Sequence, residues 1–257
     1  MSLQTITIKR EPEIQFDGQS AKKLKEVEKW ILSKGGKETK TVVEDSPYFD
    51  TENNRLIREG MECRLKKKGG IYRTDLKTPI DTGNRSVEPD HMGVIWRNEI
   101  MGEAVSEGLV LSEFSGLSVL KPVKNRVSDI FEKPLHLKFR AQLKKRKFER
   151  NVAVSKDSGV IEYAIQRGHM VTPDGKRKSD ELFIVELELK EGSEKVLEKA
   201  IQEFLQEFAD MNTLKDRKVL VGFKLIEPDM TEKARHKFTK LQNRLLSQQP
   251  LPALQVA

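Results

Sequence analysis

Cysteine is nearly absent from this chain of 257 residues, where Cys63 stands alone. One thiol excludes an intramolecular disulfide and any metal site built from several cysteines. Histidine is scarce as well, with four scattered copies, so multi-histidine metal chemistry has little to draw on. Aromatic residues make up 6%, and no aromatic-bearing signature of an RNA-recognition module is present, which disfavours nucleic acid as the partner. No apolar run approaches the length of a membrane span. The opening "MSLQTITIKREPE" turns charged before an apolar signal region develops, so a reducing, cytoplasmic setting is expected.

Charge, by contrast, is plentiful. Charged residues make up 34% against 37% hydrophobic, within the range of water-soluble globular domains. The 47 lysines and arginines exceed the 40 acids and leave a net +7, which favours an anionic partner. These cations lie inside alternating, strand-like segments instead of one basic arm, so phosphate groups on a small ligand compete well with nucleic acid. The length suits a single large core.

Along the chain, "GQSAKKLKEVEKWILSKGG" carries Leu24, Val27, Trp30 and Ile31 at helical spacing, with Ser20 as N-cap and Gly35 as stop. "KTVVEDSPYFD" follows, then "MECRLKKKGGIYRTDLKTP", two alternating runs that Gly69-Gly70 joins as a hairpin. "GVIWRNEIM" reads as a strand and "GEAVSEGLVLSEF" as mostly helical. "LHLKFRAQLKKRKFERNVAV" and "GVIEYAIQRGHMV" read as a long polar strand pair, ended by the turn "TPDGKRK". From Ser193, the stripe Val196, Leu197, Ile201, Phe204, Leu205, Phe208 predicts a second helix. "KVLVGFKLI" reads as a last strand. Asp229 and Glu232 form a capping box opening a basic helix to about Leu246. "GGKET" at Gly35–Thr39 lacks the full phosphate-loop spacing and reads as the loop ending a helix. Asn84-Arg85-Ser86 fits a glycosylation sequon, without any sign of secretion.

An unusual number of these strands have one face made of mixed charges. In "ELFIVELELKEG", Ile184, Glu186, Glu188 and Lys190 alternate with Phe183, Val185, Leu187 and Leu189; in "EPEIQF", Glu11, Glu13 and Gln15 oppose Pro12, Ile14 and Phe16. The ordinary reading puts the apolar face on the core and the charges in water. The alternative is a closed barrel with a wet, polar lumen. Local spacing leaves both open.

The stretch "YFDTENNRLIREGMECRLKKKGGIYRTDLKTP", residues 48–79, resembles the CYTH family, the triphosphate tunnel metalloenzymes. The match rests on Tyr48, Phe49, Asp50 and Thr51, on Arg55 and Leu56, on Arg64 and Lys66, and on Leu76 and Lys77. "WRNE", with Arg97 and Glu99, "VIEYAIQRG" and "VELELKEG" continue it in order. The resemblance covers the chain to about residue 226, implying a tunnel domain over 1–226 and a basic helix and tail over 227–257, packed on or extending from the barrel.

What the resemblance implies is an α+β fold, a closed eight-stranded antiparallel tunnel with a polar lumen and helices outside. It implies Mg²⁺ or Mn²⁺ on Glu11, Glu13, Glu186, Glu188 and Glu99, and a triphosphate held by Arg64, Lys66, Lys77, Lys145 and Lys215. Among Arg140, Lys145 and Arg146, Lys145 has the best spacing. Glu186, Glu188 and Lys77 are the implied catalytic residues of a metal-dependent triphosphatase acting on tripolyphosphate or an organic triphosphate. The division is chemically sensible, since guanidinium and ammonium groups neutralise phosphates whereas a hard divalent cation prefers oxygen. Two positions depart from the family pattern: Gln15 replaces a lysine, and Gln166 replaces an aspartate. A neutral amide brings no charge and cannot serve as a base. A catalytically weak polyphosphate or nucleotide binder and an adenylyl cyclase are therefore carried as alternatives. The basic stretch Lys233, Arg235, Lys237, Lys240, Arg244 is expected to leave its cations in water while Ala234, Phe238, Leu241 and Leu245 pack on the barrel.

Overall fold

The alternating segments become strands in the computed structural model, which describes residues 6–68, 71–79, 95–103, 111, 129–214 and 217–228. The strands are β1 (Thr7–Asp17), β2 (Lys37–Asp50), β3 (Glu62–Lys68), β4 (Ile71–Pro79), β5 (Ile95–Glu103), β6 (His136–Val154), β7 (Asp157–Val171) and β8 (Leu182–Glu191). They form a closed barrel in the order β1-β5-β4-β3-β2-β6-β7-β8, with every neighbour antiparallel. The β1–β8 seam closes it through Gln15↔Glu186 and Glu13↔Glu188. β3 and β4 pair from Lys68↔Ile71 to Glu62↔Lys77, as the two-glycine hairpin predicts. β6 and β7 pair down to Val154↔Asp157, and Ser155 at φ 53° turns the chain between them.

Closure settles which face is buried: both are, in different ways. Most of the apolar faces look outward and are covered by helices and loops. Ile14 and Phe16 of β1, Ile161 and Tyr163 of β7, and Val185 and Leu187 of β8 form one core with α1 (Ala21–Ser33) and α3 (Glu194–Glu207). α1 contributes Leu24, Val27, Trp30 and Ile31, the four residues its spacing picks out. The Ser20 hydroxyl caps it by accepting from the Lys23 N–H, and Gly35, at φ +83°, ends it. α3 contributes Val196, Leu197, Ile201 and Phe204, and the Trp30 ring stands edge-on to Phe204 at 5.7 Å and to Tyr163 at 6.0 Å. On the other side, Cys63, Leu76 and Ile100 pack under Ile130, Phe131 and Leu135. Gly35 and Gly36 form the helix-ending turn, as expected, but Lys37, Glu38 and Thr39 of "GGKET" already open β2 instead of lying in the loop.

One element differs. "KVLVGFKLI" is not a strand but the helix α4 (Lys218–Ile226). A short apolar run cannot be assigned by periodicity alone. The closed barrel leaves no edge for a ninth strand, and as a helix the segment sets Val219, Leu220 and Phe223 against Phe139, Ala141, Leu143 and Met170. Those four lie on the inward face of β6 and β7, in line with Lys145 and Gln166, so α4 seals an apolar end of the bore. Gly222 makes the fit possible: a Cβ there would lie 2.2 Å from the Phe139 ring. A further short helix, α2 (Arg55–Arg58), follows β2.

Gly102 and Glu103 of the stretch read as helical end β5; its remainder, apart from Leu111, lies outside the described residues. So do the sequon at Asn84, Lys215, and the basic segment and tail from residue 229 onward. Among the described residues no helix is long and apolar enough to cross a membrane.

Candidate functional site: the charged tunnel

Because side chains alternate, β1, β3, β4, β5 and β8 turn their charged face inward, while β6 turns in Lys145 beyond its apolar Phe139, Ala141 and Leu143. β1 sends in Glu11, Glu13 and Gln15, all buried, and β8 sends in Glu186 and Glu188. β3, β4 and β5 contribute Arg64, Lys66, Lys77, Arg97 and Glu99 in register. The three candidates on β6 separate cleanly. Lys145 faces inward, 3.2 Å from Glu186; Arg140 bonds Asp45 on the exterior, and Arg146 pairs with Glu28 and Glu38 there. An odd-numbered residue and two even-numbered ones must part company on a strand.

The cations of the bore are held by its acids. Lys77 Nζ stands 2.5 Å from Glu11 Oε2 and 3.2 Å from Glu13 Oε2. Arg97 pairs with Glu13 and, at 2.6 Å, with Glu62. Arg64 donates to Asp75 at 2.7 Å, to the Tyr48 hydroxyl at 3.1 Å and to Glu44 at 3.3 Å. Lys66 meets Asp75 at 2.6 Å and Glu99 at 2.8 Å. Burial alone would push these carboxyls up, but the cations win: Arg97 and Lys77 hold Glu13 at about 2, and Arg64 and Lys145 hold Glu44 at about 2. Lys77 and Lys145 are raised against the pull of burial by their glutamates.

Glu188 is the exception. Burial and the adjacent Glu11 carboxylate push it up to about 7, against the opposing pull of Lys190. Two carboxylates that repel each other, Glu11 buried and Glu188 half-buried, suit a hard divalent cation, and an all-oxygen donor pair fits Mg²⁺ or Mn²⁺ in kind. Each of the pair meets one cation, Glu11 at Lys77 and Glu188 at Lys190; Glu13 and Glu186 each hold two, and Glu99 holds Lys66. Among the described residues, no three acids or histidines converge in a metal-holding group.

Sequence reasoning missed part of the lining. Arg217 and Lys218, at the head of α4, both reach the lumen: Arg217 meets Glu62 at 2.8 Å, and Lys218 Nζ meets Glu186 Oε2 and the Gln166 carbonyl oxygen, each at 3.0 Å. Burial lowers both cations, more than Glu62 and Glu186 raise them. Reading their segment as a strand hid them. Glu62 and Asp75 were also overlooked, although each is two positions from a chosen cation, Arg64 and Lys77, and so shares its face. Asp50, in the Tyr-Phe-Asp-Thr stretch, plays a structural part: its carboxylate accepts the backbone N–H groups of Thr51, Leu56 and Ile57 at 2.7–3.0 Å and caps α2.

No family model matches the chain, and no curated protein does. Solved structures do. A candidate adenylate cyclase from Bacillus halodurans superposes over 80% of this chain and 94% of its own, at 16% identity and a TM-score of 0.44. A candidate adenylyl cyclase from Hippeastrum, whose described dominant activity is that of a triphosphatase, superposes over 83% of this chain and 95% of its own, at 11% identity and a TM-score of 0.50. With the closed eight-stranded antiparallel barrel and its charged bore, the chain has a CYTH-like tunnel fold.

Proposed function

We propose that this protein is a divalent-metal-dependent triphosphatase that takes tripolyphosphate or an organic triphosphate into its tunnel. One observation carries the reading: Arg64, Lys77, Arg97, Arg217 and Lys218 line a single cavity inside the barrel, walled by β1 to β5 and the head of α4. A chain of phosphates supplies several anionic oxygens that can replace the internal carboxylates on such cations. Arg64 offers a fork, and Lys66, Lys77 and Lys145 offer point charges; Lys215 joins them on the resemblance alone. Lys77 is positioned to stabilise charge on the departing phosphate. Mg²⁺ or Mn²⁺ would be held first by Glu11 and Glu188, where it would polarise phosphoryl oxygens and acidify a bound water.

Phosphate release from tripolyphosphate, ATP and thiamine triphosphate, with each metal and with chelator, tests this. The expected result is metal-dependent release that falls at least about 100-fold in Lys77→Ala, the scale on which electrostatic stabilisers act. Undiminished turnover in that variant rejects the reading. Gln166 favours one other reading, a triphosphate-binding protein without turnover, because its amide cannot take a proton. Tripolyphosphate binding by calorimetry with no phosphate released selects it.

A further inference from the structure

Among the described residues, Glu186 accepts from four side-chain donors, more than any other acid of the bore. Its Oε2 accepts from Gln15 Nε2 at 2.9 Å, from Lys218 Nζ at 3.0 Å and from Gln166 Nε2 at 3.1 Å, and its Oε1 accepts from Lys145 Nζ at 3.2 Å. Each carboxylate oxygen has about two lone-pair sites, so three donors more than fill Oε2 and one takes half of Oε1. Gln166 turns both ends of its amide to this cluster: the NH₂ group bonds Glu186, and the carbonyl oxygen accepts from Lys218. An acid at position 166 could accept from Lys218 but would repel Glu186; an amide satisfies both. The four donors come from β1, β6, β7 and the head of α4, so Glu186 ties the sealing helix to three strands.

Resting on the tunnel reading above, we infer that Glu186 is a positioning residue that sets Lys145 and Lys218 for the phosphate chain, and that it is not a metal ligand. Metal binding then falls to the Glu11–Glu188 side of the bore. Gln15 and Gln166 accordingly serve to saturate Glu186 Oε2 without adding charge.

Glu186→Gln and Glu188→Gln in the full chain separate the two roles. Mn²⁺ binding is followed by electron paramagnetic resonance, and the docking of α4 by amide hydrogen exchange over residues 217–226. Glu186→Gln is expected to change Mn²⁺ affinity less than 3-fold while raising exchange in α4 at least 10-fold. It should also remove the slowed ammonium signal of Lys218 in ¹⁵N-lysine-labelled protein, a local signature that general loosening elsewhere leaves in place. Glu188→Gln should do the reverse, weakening Mn²⁺ at least 10-fold with α4 exchange and the Lys218 signal unchanged. Loss of Mn²⁺ binding in Glu186→Gln overturns the inference. If that variant does not fold, Lys218→Met decides: affinity for Mn²⁺ within 3-fold of the parent supports the assignment, and a 10-fold gain shows that Lys218 had been competing with metal for Glu186 and refutes it. Should the parent protein bind no Mn²⁺ at all, the metal-dependent reading fails, while the exchange and ammonium measurements still judge the anchoring of Lys218.

Discussion

Glu13 and Glu188 are direct partners across the seam that closes the barrel, yet one carboxyl is held at about 2 and the other is pushed up to about 7. The backbone treats them alike; their neighbours do not. Arg97 and Lys77 outweigh burial at Glu13, whereas at Glu188 burial and Glu11 prevail over Lys190.

This asymmetry predicts how stability responds to pH in metal-free protein. A carboxyl raised to about 7 binds a proton in the folded state that the unfolded chain has already lost above about 4.5, so stability falls as pH rises between those values. The loss at Glu188 amounts to at most about 3 kcal/mol. Urea denaturation from pH 5 to pH 8 should show the decline, and Glu188→Gln should flatten it. Glu13 and Glu44 act in the opposite sense: their stabilisation is present above about 4.5 and disappears as pH falls toward 2.

Arg97 is expected to matter more for folding than any surface ion pair. Its side chain is 2% exposed and binds Glu13 and Glu62 together. Arg97→Met leaves two buried carboxylates short of a partner and should cost about 3–5 kcal/mol in chemical denaturation. The exposed pair of Lys133 and Asp129 provides the contrast, and Lys133→Ala should leave stability nearly unchanged.

At Gly222, helix propensity and packing oppose each other. Alanine is worth about 1 kcal/mol over glycine within a helix, but the new methyl would meet the Phe139 ring at 2.2 Å. Overpacking costs about 1–3 kcal/mol, so Gly222→Ala should lower the melting temperature and speed proteolysis around α4. A rise in melting temperature would show that α4 can shift off Phe139 at little cost.

Asp50→Ala strips three backbone N–H groups of their acceptor. A destabilisation of about 2 kcal/mol or more is expected, above a single lost cap. Asp50→Asn should recover part of it, and binding of tripolyphosphate per folded molecule should be unchanged.

The chain's own residues determined a good deal before any coordinates. Period-2 alternation placed the strands, the Leu24–Ile31 and Val196–Phe208 stripes placed both covering helices, and the spacing within "FRAQLKKRKF" favoured Lys145 over Arg140 and Arg146, because these signals are local. Alternation could not say whether the charged face looks into a bore or out to solvent; only closure through Gln15↔Glu186 and Glu13↔Glu188, pairs more than 170 positions apart, decided it. The same distance hid the acid–base partners of the lumen and the state of "KVLVGFKLI". That segment is a helix because a closed sheet offers no free edge and the bore has an apolar end to fill, conditions that exist only once the remote strands have met.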